Sequence, residues 1–333
     1  MSTPETPIIA VTMGDPAGIG PELVVKSLAE PKVRGLCRPF VVGDLDIMRR
    51  AVALVGTGER VVRIGAPADA TFVPGVIEVL EVEGGEVVNW RPGVVDPAFG
   101  KVSAVDLARA FELAERGAVD AVVCAPMNKQ AMHDAGYDYF DELEYLAAIT
   151  NRPDAKMIAV IPGLWSVAVT GHVPFRMIPD LIKRERVLSR IELLHSVLVD
   201  FGIGQPRLGV AALNVHGGEG GLFGREEMDD IAPAIADARG KGIDAVGPVP
   251  ADAIFVHARQ GRYDGVVCMY HDQANLGRKL LATRRGATIY HGLAAPGATT
   301  AHGVAFDIAW KGVAEPTSLV DCFEYAARLA TKR

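Results

Sequence analysis

Three histidines stand where an apolar run gives way to a polar or glycine-rich turn: His172 after Ser166–Thr170, His216 after Leu208–Leu213 and His271 after Gly265–Tyr270. Short β-rich apolar runs bounded by turn residues are expected to be buried strands of a parallel sheet. Imidazoles at the carboxyl ends of such strands converge on the edge where open α/β sheets place their ligands. Neutral imidazole is the commonest protein ligand for a divalent metal, and three protein ligands with an open position mark a catalytic site. The chemistry implied is that of a metal enzyme. A metal-bound water on three histidines is also how hydrolases begin, so the histidines alone leave a metal-dependent hydrolase open.

Four further segments carry chemistry. Gly14-Asp15-Pro16-Ala17-Gly18-Ile19-Gly20-Pro21-Glu22 follows a strand and opens a helix. Its glycine spacing is neither the dinucleotide fingerprint nor a Walker loop. A helix start preceded by glycines can cradle an anion, and a tight strand-to-helix turn explains the same glycines without a ligand. Cys124-Ala125-Pro126-Met127-Asn128-Lys129 ends another strand with an amide and a lysine, a pair that can hold a carboxylate or phosphate or simply be solvated. His216 lies in Asn214–Glu227, where the glycines let the backbone approach a ligand and Glu219 could orient the imidazole. His271-Asp272-Gln273 follows an apolar run directly, a costly set of polar groups to bury for packing alone. His133, His195 and His257 fall in helical patterns and read as surface or capping residues.

The elements that must position these residues alternate from end to end. Ile8–Met13, Pro39–Gly43 and Ala118–Cys124 read as strands; Pro21–Leu28, Ala104–Arg116, Lys183–Val199, Glu226–Arg239, Ala251–Arg259 and Ser318–Thr331 read as helices. Such alternation predicts an α/β fold with a largely parallel sheet and right-handed crossovers. At 333 residues the chain exceeds one ordinary core, so two lobes are expected. A net charge of −7 without a basic stripe argues against a nucleic-acid partner. The four cysteines form no Cys-x-x-Cys pair, the pattern of a reduced compartment. No secretory signal and no apolar run of spanning length is visible, so a cytoplasmic protein with no membrane partner is expected.

Taken together the segments GDPAGIGPE (14–22), APMNK (125–129), NVHGGEGGLFGREE (214–227), GPVPAD (247–252), YHDQ (270–273), KLLA (279–282) and HGVAFDIA (302–309) resemble the 4-hydroxythreonine-4-phosphate dehydrogenase (PdxA) family of vitamin B6 biosynthesis. The resemblance covers essentially the whole chain. It implies two α/β/α lobes related to the isocitrate and isopropylmalate dehydrogenases, with the active site in the interlobe cleft. The expected division is 1–145 plus 293–333 for the first lobe and 146–292 for the second, which would carry the metal histidines. The resemblance further implies a homodimer whose interface holds one divalent metal (Zn, Co, Mg or Mn) on His172, His216 and His271. It implies NAD or NADP as cofactor, for which Gly14, Asp15, Gly18, His302 and Asp307 are the expected contacts. Lys279 matches the family's substrate-contacting lysine, with Asn128, Glu142 and Thr288 as further substrate candidates. The implied reaction takes hydride from a carbon bearing a hydroxyl β to a carboxylate, and the β-keto acid then loses CO₂. Asp272 and Lys129 are the candidates for proton transfer.

The departures from the family pattern concern the substrate. Where the family reads Gly-His-Thr-Glu-Tyr-Leu-Ala, this chain has Asp141-Glu142-Leu143-Glu144-Tyr145-Leu146-Ala147. Where it offers asparagine and arginine beyond the lysine, this chain has Thr288 and Gly297, and Ala301 replaces the aspartate before His302. An acid for a histidine and a glycine for an arginine weaken binding of a phosphate dianion. The expectation is therefore a non-phosphorylated substrate, such as the cis-dihydrodiol of a terephthalate-type acid. The alternatives are the B6 intermediate itself and a 4-phosphorylated threonate or erythronate.

Overall fold

The computed structural model describes residues 6–282 and 285–331. Twelve strands run in chain order: β1 (Ile8–Thr12), β2 (Arg38–Val42), β3 (Arg60–Ile64), β4 (Val76–Leu80), β5 (Ala121–Cys124), β6 (Lys156–Ile161), β7 (Leu164–Ala168), β8 (Arg207–Ala211), β9 (Asp244–Val249), β10 (Gly265–Cys268), β11 (Ala287–His291) and β12 (Gly297–Thr300). The described residues form two compact units. One runs to Met157 and resumes at Gly286; the other spans Ile158–Arg285.

In the first unit the strand order is β3-β4-β2-β1-β5-β12-β11. All neighbours are parallel except β11 and β12, which pair Thr288 with Thr299 and Tyr290 with Gly297. The inner strands β1 and β5 are almost wholly buried, as expected of strands covered on both faces. On one face lies the helix Pro97–Glu115, started by Pro97 and by the Asp96 carboxylate, which accepts Ala98 N–H at 2.9 Å. Its Leu107, Ala110, Phe111 and Ala114 share a core with Phe40, Val122, Cys124 and Tyr290. Leu143, Tyr145 and Leu146 of the helix Glu142–Ile149 belong to that same core. Gly100 lets the long helix approach the helix Lys129–Asp134: a Cβ there would lie 2.1 Å from Ala131 C and O. That contact holds the start of the second helix, and with it Lys129.

In the second unit the order is β6-β7-β10-β8-β9, with β7, β10, β8 and β9 parallel. β6 and β7 are antiparallel because Pro162 and Gly163 alone connect them, too short a link for a parallel crossover. The three apolar runs that end in histidine are thus neighbours: β10 lies between β7 and β8. No helix among the described residues is long and apolar enough to cross a membrane.

Candidate active site

The second unit places the histidines. β7 and β10 continue side by side past their ends, where Val169 N–H donates to Cys268 O (2.8 Å) and Thr170 N–H to Met269 O (3.1 Å). His172 follows in the turn after β7, and His271 is the first residue of the helix His271–Leu281. Their rings lie 5.1 Å apart, centroid to centroid. Two imidazoles at that separation suit a shared ion, and His271 Nδ1 is already engaged by Asp272 Oδ1 at 2.8 Å. With Nδ1–H donating to a carboxylate, Nε2 is left as the ligand nitrogen. Asp272, a candidate for proton transfer, therefore has a clear structural task in orienting His271.

His216 arrives differently. From His216 to Gly221 six consecutive residues have positive φ, at 52°, 69°, 79°, 44°, 67° and 99°. His216 and Glu219 are the two that are not glycine, and their side chains meet at 3.3 Å (Nδ1 to Oε1). This left-handed turn is anchored by the buried Glu227, whose Oε1 accepts the N–H groups of Leu213 and Asn214 at 2.7 Å each and whose Oε2 accepts Asn214 Nδ2 at 2.8 Å. Gln273 joins the ends of two strands, donating to Ala212 O and accepting from Met269 N–H. Glu227 and Gln273 are supports that the motif reading quoted without giving them a task. Among the described residues no three His, Cys, Asp or Glu side chains of this one chain gather into a metal-binding group.

All the remaining candidates but Lys279 lie in the first unit. At the carboxyl end of β5, Asn128 caps the helix Lys129–Asp134 by accepting Ala131 N–H at 2.8 Å, which occupies its oxygen. Lys129 Nζ lies 3.4 Å from Glu142 Oε2, and Glu142 is only 14% exposed. Glu142 begins its helix, where a carboxylate is favoured by the helix dipole. Thr288 faces Thr299 across β11 and β12. At Gly297 a Cβ would sit 2.8 Å from the Tyr290 ring and 2.9 Å from the Phe111 ring, so aromatic packing leaves no room for a side chain. Lys279 is exposed near the end of the helix that starts at His271.

The Gly14–Glu22 turn packs onto the same strand end. Gly14 has φ +75°, and Asp15 N–H donates to Pro126 O at 2.9 Å. Asp15 is fully buried; Oδ1 accepts Ala17 N–H at 2.8 Å and Oδ2 has no partner. Burial raises its pKa from 3.8 to about 6, against the Ala17 hydrogen bond and with a further push from Asp96. His302 and Asp307 are exposed in the loop after β12, where His302 Nδ1 lies 3.1 Å from Gly303 O and Asp307 O accepts Lys311 Nζ.

The raised pKa makes a prediction. A carboxyl whose folded pKa is raised contributes most below its unfolded value, and that stability is lost as pH climbs from 3.8 to about 6. Two pKa units at about 1.4 kcal/mol each give about 3 kcal/mol. Asp15→Asn is expected to gain that much relative to the wild type between pH 4 and pH 7 in urea unfolding. A variant-minus-wild-type difference that is flat with pH would show that Asp15 is ionised throughout.

Residues 35–326 match the family described as pyridoxal phosphate biosynthetic protein PdxA. The chain belongs to the PdxA family. It is 42% identical to the D-threonate 4-phosphate dehydrogenase of Pectobacterium atrosepticum, over 97% of this chain and 99% of that one. It is 39% identical to the crystal structure of 4-hydroxythreonine-4-phosphate dehydrogenase from Klebsiella pneumoniae, with a TM-score of 0.86 and coverage of 99% and 100%. The terephthalate 1,2-cis-dihydrodiol dehydrogenase of Burkholderia xenovorans is more distant, at 27% identity, TM-score 0.65 and 98% coverage of each chain. The expectation of an aromatic dihydrodiol substrate is therefore not supported; the phosphorylated alternative fits better. The structure supplies the physical reason. Glu142, read as an acid that would repel phosphate, has its own counter-ion in Lys129, and the missing side chain at position 297 is a consequence of packing.

Proposed function

We propose that this PdxA-family chain is an NAD- or NADP-linked dehydrogenase, dependent on a divalent metal, that oxidises the CH–OH of a 4-phosphorylated hydroxy acid. D-threonate 4-phosphate and 4-hydroxythreonine 4-phosphate are the substrate types, by likeness to the relatives that carry those names. The observation that carries the metal reading is the His172–His271 pair at adjacent strand ends, with Asp272 on His271. His216 is the third donor in this reading. Three neutral imidazoles would leave the ion's full charge available as a Lewis acid to a chelating hydroxy acid.

The chain's own residues do the rest. A bound nicotinamide would supply the hydride acceptor; of the chain's own residues, Asp272, or Lys129 in its neutral form, is the candidate to take the hydroxyl proton. The product is a β-keto acid, which loses CO₂. Lys279, Asn128 and Thr288 contact the substrate, and Gly14, Asp15, Gly18, His302 and Asp307 the cofactor.

A homodimer with the metal at its interface is part of the proposal. Exposed apolar side chains follow each histidine in the chain: Phe175 (75% exposed) after His172, Leu222 (74%) after His216, and Leu280 (86%) at the far end of the helix of His271. Large apolar side chains left in water near a site mark a surface that a partner covers, and a second copy would cover all three sets.

The test is reduction of NAD or NADP, followed by absorbance, when the chain is given a divalent metal and each phosphorylated hydroxy acid. Turnover is expected with the phosphate esters and to fall at least about tenfold with the dephosphorylated acids. No reduction of either dinucleotide would sink the dehydrogenase reading. Equal turnover without the phosphate would restore a non-phosphorylated substrate.

A further inference from the structure

Two tryptophans grip one carbonyl. Pro16 O, in the turn that carries Asp15, accepts the indole N–H of Trp90 and that of Trp310, each at 2.9 Å. The rings meet edge to face with centroids 4.6 Å apart, and the Arg50 guanidinium lies 5.2 Å from the Trp90 ring centroid. A buried or half-buried indole N–H usually finds some acceptor. Two of them from loops remote in sequence, converging on one oxygen of a motif turn, form a clamp.

The same two loops make a second pair of bonds to the turn. Gly93 N–H, just beyond Trp90, donates to Ala17 O at 2.8 Å; Ile19 N–H donates to Val304 O at 3.0 Å, in the loop that carries Trp310. Gly18 is pressed against Val304 so closely that a Cβ would lie 2.9 Å from Val304 Cβ. Each arm also carries residues held in the left-handed region: Asn89 (φ 54°) before Trp90, Ala305 (φ 42°) after Val304, and Trp310 itself (φ 59°). For a bulky side chain that conformation is unfavourable, and it persists only where the surroundings over-determine it. Here the surroundings are the turn. What the turn holds is the buried Asp15 carboxyl, whose Oδ2 has no hydrogen-bond partner.

We propose that Trp90 and Trp310 are positioning residues: through Pro16 O they lock the Gly14–Glu22 turn so that Asp15 Oδ2 is set to accept a hydroxyl donor of the nicotinamide cofactor. The role rests on the cofactor reading of this turn given above. The clamp confines the turn before a ligand arrives, so the ordering cost of binding is met in folding. Neither tryptophan touches reacting atoms; each acts through Pro16.

The test uses the whole chain and variants that keep a ring but lose the N–H. Trp90→Phe and Trp310→Phe are each expected to raise the Kd for NAD or NADP about fivefold by calorimetry, and the double variant about twentyfold. Hydrogen exchange of the amides of residues 15–19 should speed up in the same order in the free protein. Trp310→Gly relieves the left-handed strain and should still weaken binding. Unchanged exchange and unchanged Kd in the double variant would overturn the clamp, as would tighter binding by Trp310→Gly. Faster exchange with unchanged Kd would overturn the cofactor role. A wild-type chain that binds neither dinucleotide would sink the dehydrogenase reading instead, and exchange alone would then decide the clamp.

Discussion

His271→Ala is expected to lower kcat by about three orders of magnitude or more and to strip the bound metal, while shifting the melting temperature by no more than about 3 °C. The asymmetry follows from where the side chain sits. His271 is exposed and belongs to no core cluster; it opens the helix His271–Leu281, whose inward contacts are made by Gln273, Ala274 and Arg278. Removing the imidazole costs little packing. It does remove one of the two rings that stand 5.1 Å apart and leaves the Asp272 carboxylate without its partner. Asp272→Asn should cost less, about 10–100-fold, where Asp272 only orients His271; a loss as large as that of His271→Ala would instead make it the proton acceptor. Metal content by mass spectrometry, kcat and a thermal melt on the same preparations check the pair. Full activity in His271→Ala would remove His271 from the site, and global unfolding would make it a structural residue.

The strand-end histidines were legible because a parallel strand announces itself as an apolar run, and the first polar residue after it lies at the ligand edge. That logic found β7, β8 and β10 and placed them in one sheet. What it could not see is geometry that depends on distant partners. The left-handed path from His216 to Gly221 hints at itself in the glycines, but the anchoring by Glu227 requires knowing that residue 227 folds back onto 213 and 214. The charge of Glu142 was read in isolation. Its neutralisation by Lys129 depends on Asn128 capping one helix and Asp141 capping the next, two local events that bring the two side chains together. Gly297 looked like a lost cationic side chain, whereas Tyr290 and Phe111 fill the space in which any side chain would begin. The clamp on Pro16 left no mark in the sequence at all, since its donors lie 74 and 294 residues away. β3 was missed for a different reason: it is an edge strand with an arginine at residue 60 and another at 63, so its apolar signal is weak.

The second large effect is expected at Gly14, and a matched control isolates its cause. Gly14 and Gly56 both have φ +75°. At Gly56, which ends the helix Leu45–Val55, a Cβ would meet nothing within 4 Å. Alanine there should cost only the left-handed penalty, about 1 kcal/mol, or a loss of about 2–4 °C in melting temperature. At Gly14 the same Cβ would lie 2.5 Å from Pro126 O and 3.0 Å from Ala125 C. These are backbone atoms, so no rotamer change relieves the clash. The carbonyl it strikes is the one that accepts Asp15 N–H, and it lies in the loop that leads to Asn128 and Lys129. Either the turn lifts from the end of β5 or that loop moves, and both disturb proposed cofactor and substrate contacts. Gly14→Ala is therefore expected to lose about 3–5 kcal/mol, a fall on the order of 10 °C, and to weaken dinucleotide binding as well. Thermal melts of the two alanine variants read side by side give the answer: if Gly14→Ala falls no further than Gly56→Ala, the turn is not seated tightly on Pro126 and the Asp15 carboxyl is not held where its buried oxygen now lies.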